Sequence, residues 1–117
     1  MRDLVVHYVG GKGRGVFALR KFINGETIER APVIVLKEDP WELLNQTTLS
    51  NYYFAWGARA SALALGFASL YNHSERPNAK VIRHLGDSVM EFVAVRDIEP
   101  GEEITHTHQC SAWLSVR

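Results

Sequence analysis

Three stretches of this chain gather residue types that could do chemistry. From residue 69 to 79, "SLYNHSERPNA" sets Asn72, His73, Ser74, Arg76 and Asn78 in a run with no usable hydrophobic period. Asn and His offer side-chain and backbone hydrogen bonds there, and Pro77 stiffens the return of the chain. A polar run this dense usually forms a surface turn, yet it follows directly on the apolar "ASALALGFA". Near the start, "GGKGRGVFA" offers Gly13-Arg14-Gly15. Glycines let a backbone approach a ligand closely, and successive N–H groups can cradle an anion such as a carboxylate. The spacing matches neither a P-loop nor a dinucleotide fingerprint, and a lone Gly-x-Gly is more often a hairpin turn. Near the end, "GEEITHTHQCSAW" follows two acidic residues with His106, His108 and Cys110 at alternate positions. On a strand these three would share a face, where imidazole and thiolate suit zinc, with His73 or His84 as a fourth ligand. The plainer reading makes His106 a surface strand residue, Cys110 a small buried side chain and the acidic pair a solvated turn.

The elements that must position these residues read mainly as strands. "DLVVHYV" (3–9) and "GVFALR" (15–20) are β-branched and aromatic, with a Gly-rich hinge between them. "ETIERAPVIVLK" (26–37) reads as extended, with Pro32 marking an edge or a bend. "AKVIRHL" (79–85) and "SVMEFVAV" (88–95) flank a Gly-Asp turn and predict a hairpin. Asp39-Pro40-Trp41-Glu42 has the residues of a helix start, and predicts a short helix to about Gln46. "SALALGFASLY" fits a helix by its Ala and Leu, or a buried strand by its unbroken apolar character, and propensity leaves both open. An internal echo stands out: "ALRKFINGETIE" (18–29) and "AVRDIEPGEEIT" (94–105) share Ala, Arg, Gly, Glu and Ile at equivalent places. Either both are simply good turns, or a pseudo-symmetric all-β fold uses one bend twice.

Composition narrows the function classes. At 117 residues the chain predicts one domain, 1–117, with a modest core. Thirteen basic and thirteen acidic residues cancel, so no global field draws the chain to nucleic acid or an anionic membrane. Lys12, Arg14, Arg20 and Lys21 cluster modestly, but no interleaved aromatics make a stacking platform for a nucleic acid. Cys110 is the single cysteine, so there is no internal disulfide, and "MRDLVVHYVGGKGRG" is too broken for a signal or membrane segment. The expectation is an intracellular protein, cytoplasmic in a bacterium and able to reach the host nucleus if viral.

Taken in order, Gly-Arg-Gly-Val-Phe-Ala, "ALGF…YNHSERPNA" and "IEPGEEIT" resemble the SET-domain protein lysine methyltransferases, most of all the minimal free-standing viral and bacterial type. The resemblance runs along essentially the whole chain. It implies a β-clip fold of small curved sheets with short helices, in which the C-terminal segment threads under a loop as a pseudoknot beside Asn-His-Ser. It implies S-adenosylmethionine as methyl donor, held by Lys12, Gly13, Arg14 and Gly15 around its methionine part and by Asn72 and His73, the latter partly through its backbone near the adenine. Tyr53 in "NYYFAW" falls where the family places an aromatic near the reaction centre, and Trp113 matches an aromatic that closes over cofactor or substrate. Each of these two, alone, would read as a core aromatic. The implied partner is a lysine-bearing protein or peptide, such as a histone-like tail, and relatives of this size imply a homodimer.

One position departs from the pattern. Where the family carries a tyrosine after "GEEIT", this chain has His108, the second proposed catalytic residue beside Tyr53. Methyl transfer from a sulfonium is an in-line displacement, so alignment and exclusion of water matter more than a strong base. A neutral imidazole, with an ordinary pKa of about 6.5, has one donor and one acceptor with which to orient an amine. An imidazolium would repel both sulfonium and ammonium. Two readings stand: an active methyltransferase, with Tyr52 as a nearby substitute hydroxyl, or a silent module that keeps the cofactor or peptide groove.

Overall fold

The echo between the two turns is realised bond for bond. In a computed structural model of the chain, which describes residues 3–11, 13–36, 52–57 and 60–107 (Tyr53 by its backbone), Phe22 and Ile98 face each other across an antiparallel bridge. They exchange both backbone bonds, Phe22 N to Ile98 O at 2.9 Å and Ile98 N to Phe22 O at 2.8 Å. Around this dyad, Ala18 N donates to Glu102 O and Gly101 N to Ala18 O, while Ala94 N donates to Glu26 O and Gly25 N to Ala94 O. Gly25 and Gly101 sit at φ 92° and 89°, where a side chain is disfavoured. Glu26 Oε1 accepts from Ile23 N as Glu102 Oε1 accepts from Glu99 N, and Arg20 and Arg96 clamp the second oxygen of each carboxylate. One bend is used twice.

The strands are β1 (Leu4–Val9), β2 (Gly13–Ala18), β3 (Thr27–Leu36), β4 (Tyr53–Trp56), β5 (Ala60–Ala64), β6 (Asn72–His73), β7 (Ala79–His84), β8 (Val89–Ala94) and β9 (Glu103–His106). They lie in the order β1-β2-β9-β7-β8-β3-β5-β4, with β6 on β9, as a curved, open sheet. The mainly β expectation holds; among the described residues the only helical piece is a 3₁₀ turn at Ala68–Leu70, and the helix expected from Asp39 lies outside them.

Local chemistry accounts for the breaks. Pro32 is where β3 changes partner, pairing β8 as far as Pro32 and β5 from Val33 onward. A residue without an N–H cannot sit inside one ladder, so it marks the handover, and its carbonyl accepts from Leu65 N at 3.0 Å. The ambiguous apolar run resolves into both forms: Ala60–Ala64 is strand, and Gly66, at φ 65°, turns the chain into the 3₁₀ turn. The hairpin forms as expected, with His84 opposite Val89 and residues 85–88 as its turn. Gly13-Arg14-Gly15 is a correction. Rather than a loop between strands, it opens β2, with Val9 opposite Gly13 and His7 opposite Gly15. Val16, Phe22, Met90, Phe92, Ile98 and Ile104 are fully buried and anchor the core.

Candidate functional site

The start of β2, the two residues of β6 and all of β9 meet at one place. Strand β9 pairs antiparallel with β2 on one flank, Val16 opposite Ile104 and Phe17 opposite Glu103. On the other flank it runs parallel to β6, Asn72 beside Thr105 and His73 beside His106, and touches β7 at Ala79. The polar run therefore starts as a strand inside the sheet, which is why apolar residues deliver the chain to it.

Asn72 ties the three strands together. Its Nδ2 donates to Arg14 O at 3.0 Å and to the Glu103 carboxylate at 2.7 Å. The two glycines flanking Arg14 differ. A Cβ on Gly13, whose φ is 79°, would meet nothing within 4 Å, so its backbone borders open space. A Cβ on Gly15 would lie 2.5 Å from Glu103 Oε2 and 2.9 Å from Asn72 Nδ2, so this glycine makes room for the Asn72–Glu103 pair. Arg14 and His73 are exposed beside it.

Five residues that sequence reasoning did not assign to the site hold it in place: Glu29, Tyr71, Asn78, Glu102 and Glu103. Asn78, 1% exposed, accepts from Thr105 N at 2.8 Å and donates to Glu103 O at 2.8 Å, pinning β9 from its far flank. Its amide also reaches Glu102 at 3.3 Å. Burial pushes the Glu102 carboxyl upward, but the Glu99 N–H, Arg96 and Asn78 outweigh it and hold the carboxyl below its ordinary value. Glu29, from β3, accepts from the Tyr71 hydroxyl at 2.7 Å and from Phe67 N at 2.9 Å, fixing the segment that feeds Asn72. Tyr71 packs on Phe92, ring centroids 4.3 Å apart. The usable signals were an acid inside an apolar strand, a tyrosine next to Asn72 and the repeated Asn after Pro77; Glu103 was read only as a turn acid.

Burial, with the Glu29 charge and hydrogen bond, holds the Tyr71 phenol well above its ordinary pKa of 10.0. Above that pH the unfolded chain gives up the phenol proton while the folded chain keeps it. The unfolded state then binds fewer protons, so stability is intact below about pH 10 and falls as pH rises beyond it. Tyr71→Phe is expected to flatten this alkaline decline, while costing about 1.5–3 kcal/mol at neutral pH for the lost bond to a carboxylate. Urea midpoints of both proteins between about pH 8 and 11 measure it.

His106 is not the surface strand residue of the plainer reading. It is 4% exposed, among the rings of Phe54, Tyr71 and Phe92, with Nδ1 2.9 Å from Thr107 O. The Phe54 contact brings β4, and with it the backbone of Tyr53, to the end of β9. The guanidinium Nε of Arg83 donates to Ala55 O at 2.8 Å and ties β4 to β7. His84 is corrected as a fourth zinc ligand: it bonds Glu91 at 2.8 Å, and lies five residues, about 16 Å along a strand, from Ala79, where β7 meets β9. Among the described residues no group of three His, Cys, Asp or Glu side chains could hold a metal. The structure thus brings Gly13, Arg14 and Gly15 to Asn72 and His73, while Lys12, His108, Cys110 and Trp113, and with them the expected C-terminal threading, lie outside the described residues.

Comparison with known proteins follows the same residues. Positions 13–109 match the SET domain. The H3 lysine-37-specific histone-lysine N-methyltransferase of Schizosaccharomyces pombe is 31% identical over 104 residues, covering 88% of this chain and 71% of the yeast protein. N-lysine methyltransferase KMT5A-A of Danio rerio is 27% identical over 124 positions, covering 90% of this chain and 35% of the fish protein. Among solved structures, a Plasmodium falciparum histone methyltransferase candidate superposes with TM-score 0.74 at 29% identity, covering 97% of this chain and 98% of the other. The Neurospora histone lysine methyltransferase DIM-5, at 18% identity, shares the fold with TM-score 0.71 over 89% of this chain and 51% of its own. Among the described residues no helix is long and apolar enough to cross a membrane.

Proposed function

The chain belongs to the SET-domain family, and from that premise we propose that it transfers a methyl group from S-adenosylmethionine to the side-chain amine of a protein lysine. Lysine methyl transfer in general follows from the family and its named relatives. The observation that carries the finer reading is the Asn72 tie between β2 and β9 beside the open backbone of Gly13.

The residues present fit the cofactor. The space where Gly13 lacks a side chain is open, the Glu103 carboxylate puts negative charge close to Asn72, and exposed His73 continues the same edge. Gly13, Arg14, Gly15, Asn72 and His73 would hold it, with Lys12 and Trp113 completing the contact. When bound it supplies a methyl on a positively charged sulfur, which is left as a neutral thioether once the amine nitrogen has taken the methyl. The protein's part is alignment and exclusion of water. Tyr53, at the β4 end that meets β9, and His108, just beyond it, would orient the lysine amine, which must arrive neutral for its lone pair to react. The partner on this reading is a lysine-bearing protein segment such as a histone-like tail, without direct contact to nucleic acid or membrane, and the working assembly is a homodimer. The relatives support the lysine-bearing protein partner, and the balanced charge supports a partner that is neither nucleic acid nor membrane.

His108 in the family's tyrosine position favours a second reading, a module that binds cofactor or peptide without turnover. The test is transfer of labelled methyl to a panel of lysine peptides and basic proteins, with wild type beside His108→Tyr at neutral and alkaline pH. Label from wild type is the expected result. Label from His108→Tyr alone would establish the binding module instead. Silence from both, with no S-adenosylmethionine retained in direct titration, would overturn the assignment of the site.

A further inference from the structure

We propose that Glu103 is a positioning residue that sets the polarity of Asn72, so that this side chain meets the cofactor as a hydrogen-bond acceptor. The inference rests on the S-adenosylmethionine reading above. An amide side chain has a donor end and an acceptor end, and which one faces a ligand depends on what holds the other. Here both neighbours of Nδ2 are oxygens: Arg14 O at 3.0 Å and Glu103 Oε2 at 2.7 Å. A carboxylate can only accept, so the flipped amide would set oxygen against two oxygens. The flip is forbidden, and both amide hydrogens are consumed. Asn72 Oδ1 accepts no hydrogen bond from a described residue, and the side chain is half-buried beside the open backbone of Gly13. An acceptor left open beside a carboxylate suits a cationic donor, such as the ammonium of an amino-acid moiety, and disfavours an anion.

Gly15 is part of the same device. A Cβ there would lie 2.5 Å from Glu103 Oε2 and 2.9 Å from Asn72 Nδ2, so a side chain at this place would have to displace the carboxylate and the amide from where they now meet. The selection of ligand polarity therefore depends on Gly15, Asn72 and Glu103 together, from β2, β6 and β9.

The experiment is titration of wild type, Glu103→Gln, Glu103→Leu and Gly15→Ala with S-adenosylmethionine and with its analogue lacking the α-amino group. Folding of each variant is checked by circular dichroism and melting. Wild type is expected to prefer the amine-bearing ligand. Glu103→Leu, which has no acceptor, is expected to lose roughly tenfold or more in affinity for it, as for loss of a charged hydrogen bond, and most of the preference. Gly15→Ala should lose the preference as well, by pushing the carboxylate away. Glu103→Gln keeps an acceptor oxygen and should stay within about threefold of wild type. A merely structural Glu103 would weaken both ligands alike and leave their ratio unchanged. Full preference in Glu103→Leu and Gly15→Ala overturns the proposal while leaving the site intact. Absence of S-adenosylmethionine binding by wild type overturns the site reading and the proposal with it.

Discussion

Asn78→Ala is expected to destabilise the protein by about 3 kcal/mol, since the orphaned Thr105 N–H and Glu103 carbonyl each cost roughly 1–3 kcal/mol when buried without a partner. For a domain of this size that corresponds to a fall in Tm of roughly 10 °C. The residue is 1% exposed, and its two strongest bonds, both 2.8 Å, grip the β9 backbone at Glu103 and Thr105. Asn78→Asp should be at least as damaging: it keeps an acceptor for Thr105 N but sets carboxylate oxygens against Glu103 O and against Glu102, now 3.3 Å from the amide. Thermal melts and urea midpoints of both variants measure the effect, and a loss below about 1 kcal/mol would show that β9 is held from elsewhere. Methyl transfer should fall further than stability alone explains, because Asn72 pairs with the same strand through Thr105.

This dependence of one strand on distant side chains marks what the sequence could and could not reveal. Strand character was legible wherever a face has a period: β1, β3, β7 and β8 fall close to their expected ranges, and Pro32 announces its own change of partner. The repeated Ala-Arg-Gly-Glu spacing foretold paired turns because a turn is made by its own residues. Two-residue β6 has no period to read, and its parallel pairing with β9 depends on topology. The bonds that build the site join residues far apart in the chain, Tyr71 to Glu29 across 42 positions and Asn72 to Arg14 across 58. Residue types suggested that Gly15 leaves room for a ligand. Only the fold shows that Glu103 and Asn72 already fill that room. His106 inverted for a similar reason, since the rings around it come from β4, β8 and the segment before β6.

Phe22→Ala is expected to cost about 4 kcal/mol, within the range for deleting a fully buried phenylalanine. Stability of a small domain is only about 5–15 kcal/mol, so this single change removes a large part of it. Phe22 and its partner Ile98 are both fully buried, and each stands at the centre of one of the paired turns. The Arg20 guanidinium lies 4.0 Å from the Phe22 ring centroid, and that cation–π contact disappears with the ring. Ile98→Val removes one methylene from the same contact and should cost about 1 kcal/mol. Because the two residues share a bridge, the milder pair Phe22→Leu and Ile98→Val should depart from additivity by at least about 0.5 kcal/mol. Urea unfolding, with m unchanged, tests these values. The decisive comparison is with ligand binding. The turns tie the end of β2 to the residue before β9, through Ala18 and Glu102, but contribute no group to the Asn72 cluster. Phe22→Ala protein that remains folded in the cold should therefore bind S-adenosylmethionine like wild type, whereas weakened binding in fully folded protein would mean that the turns set the geometry of the site as well as its stability.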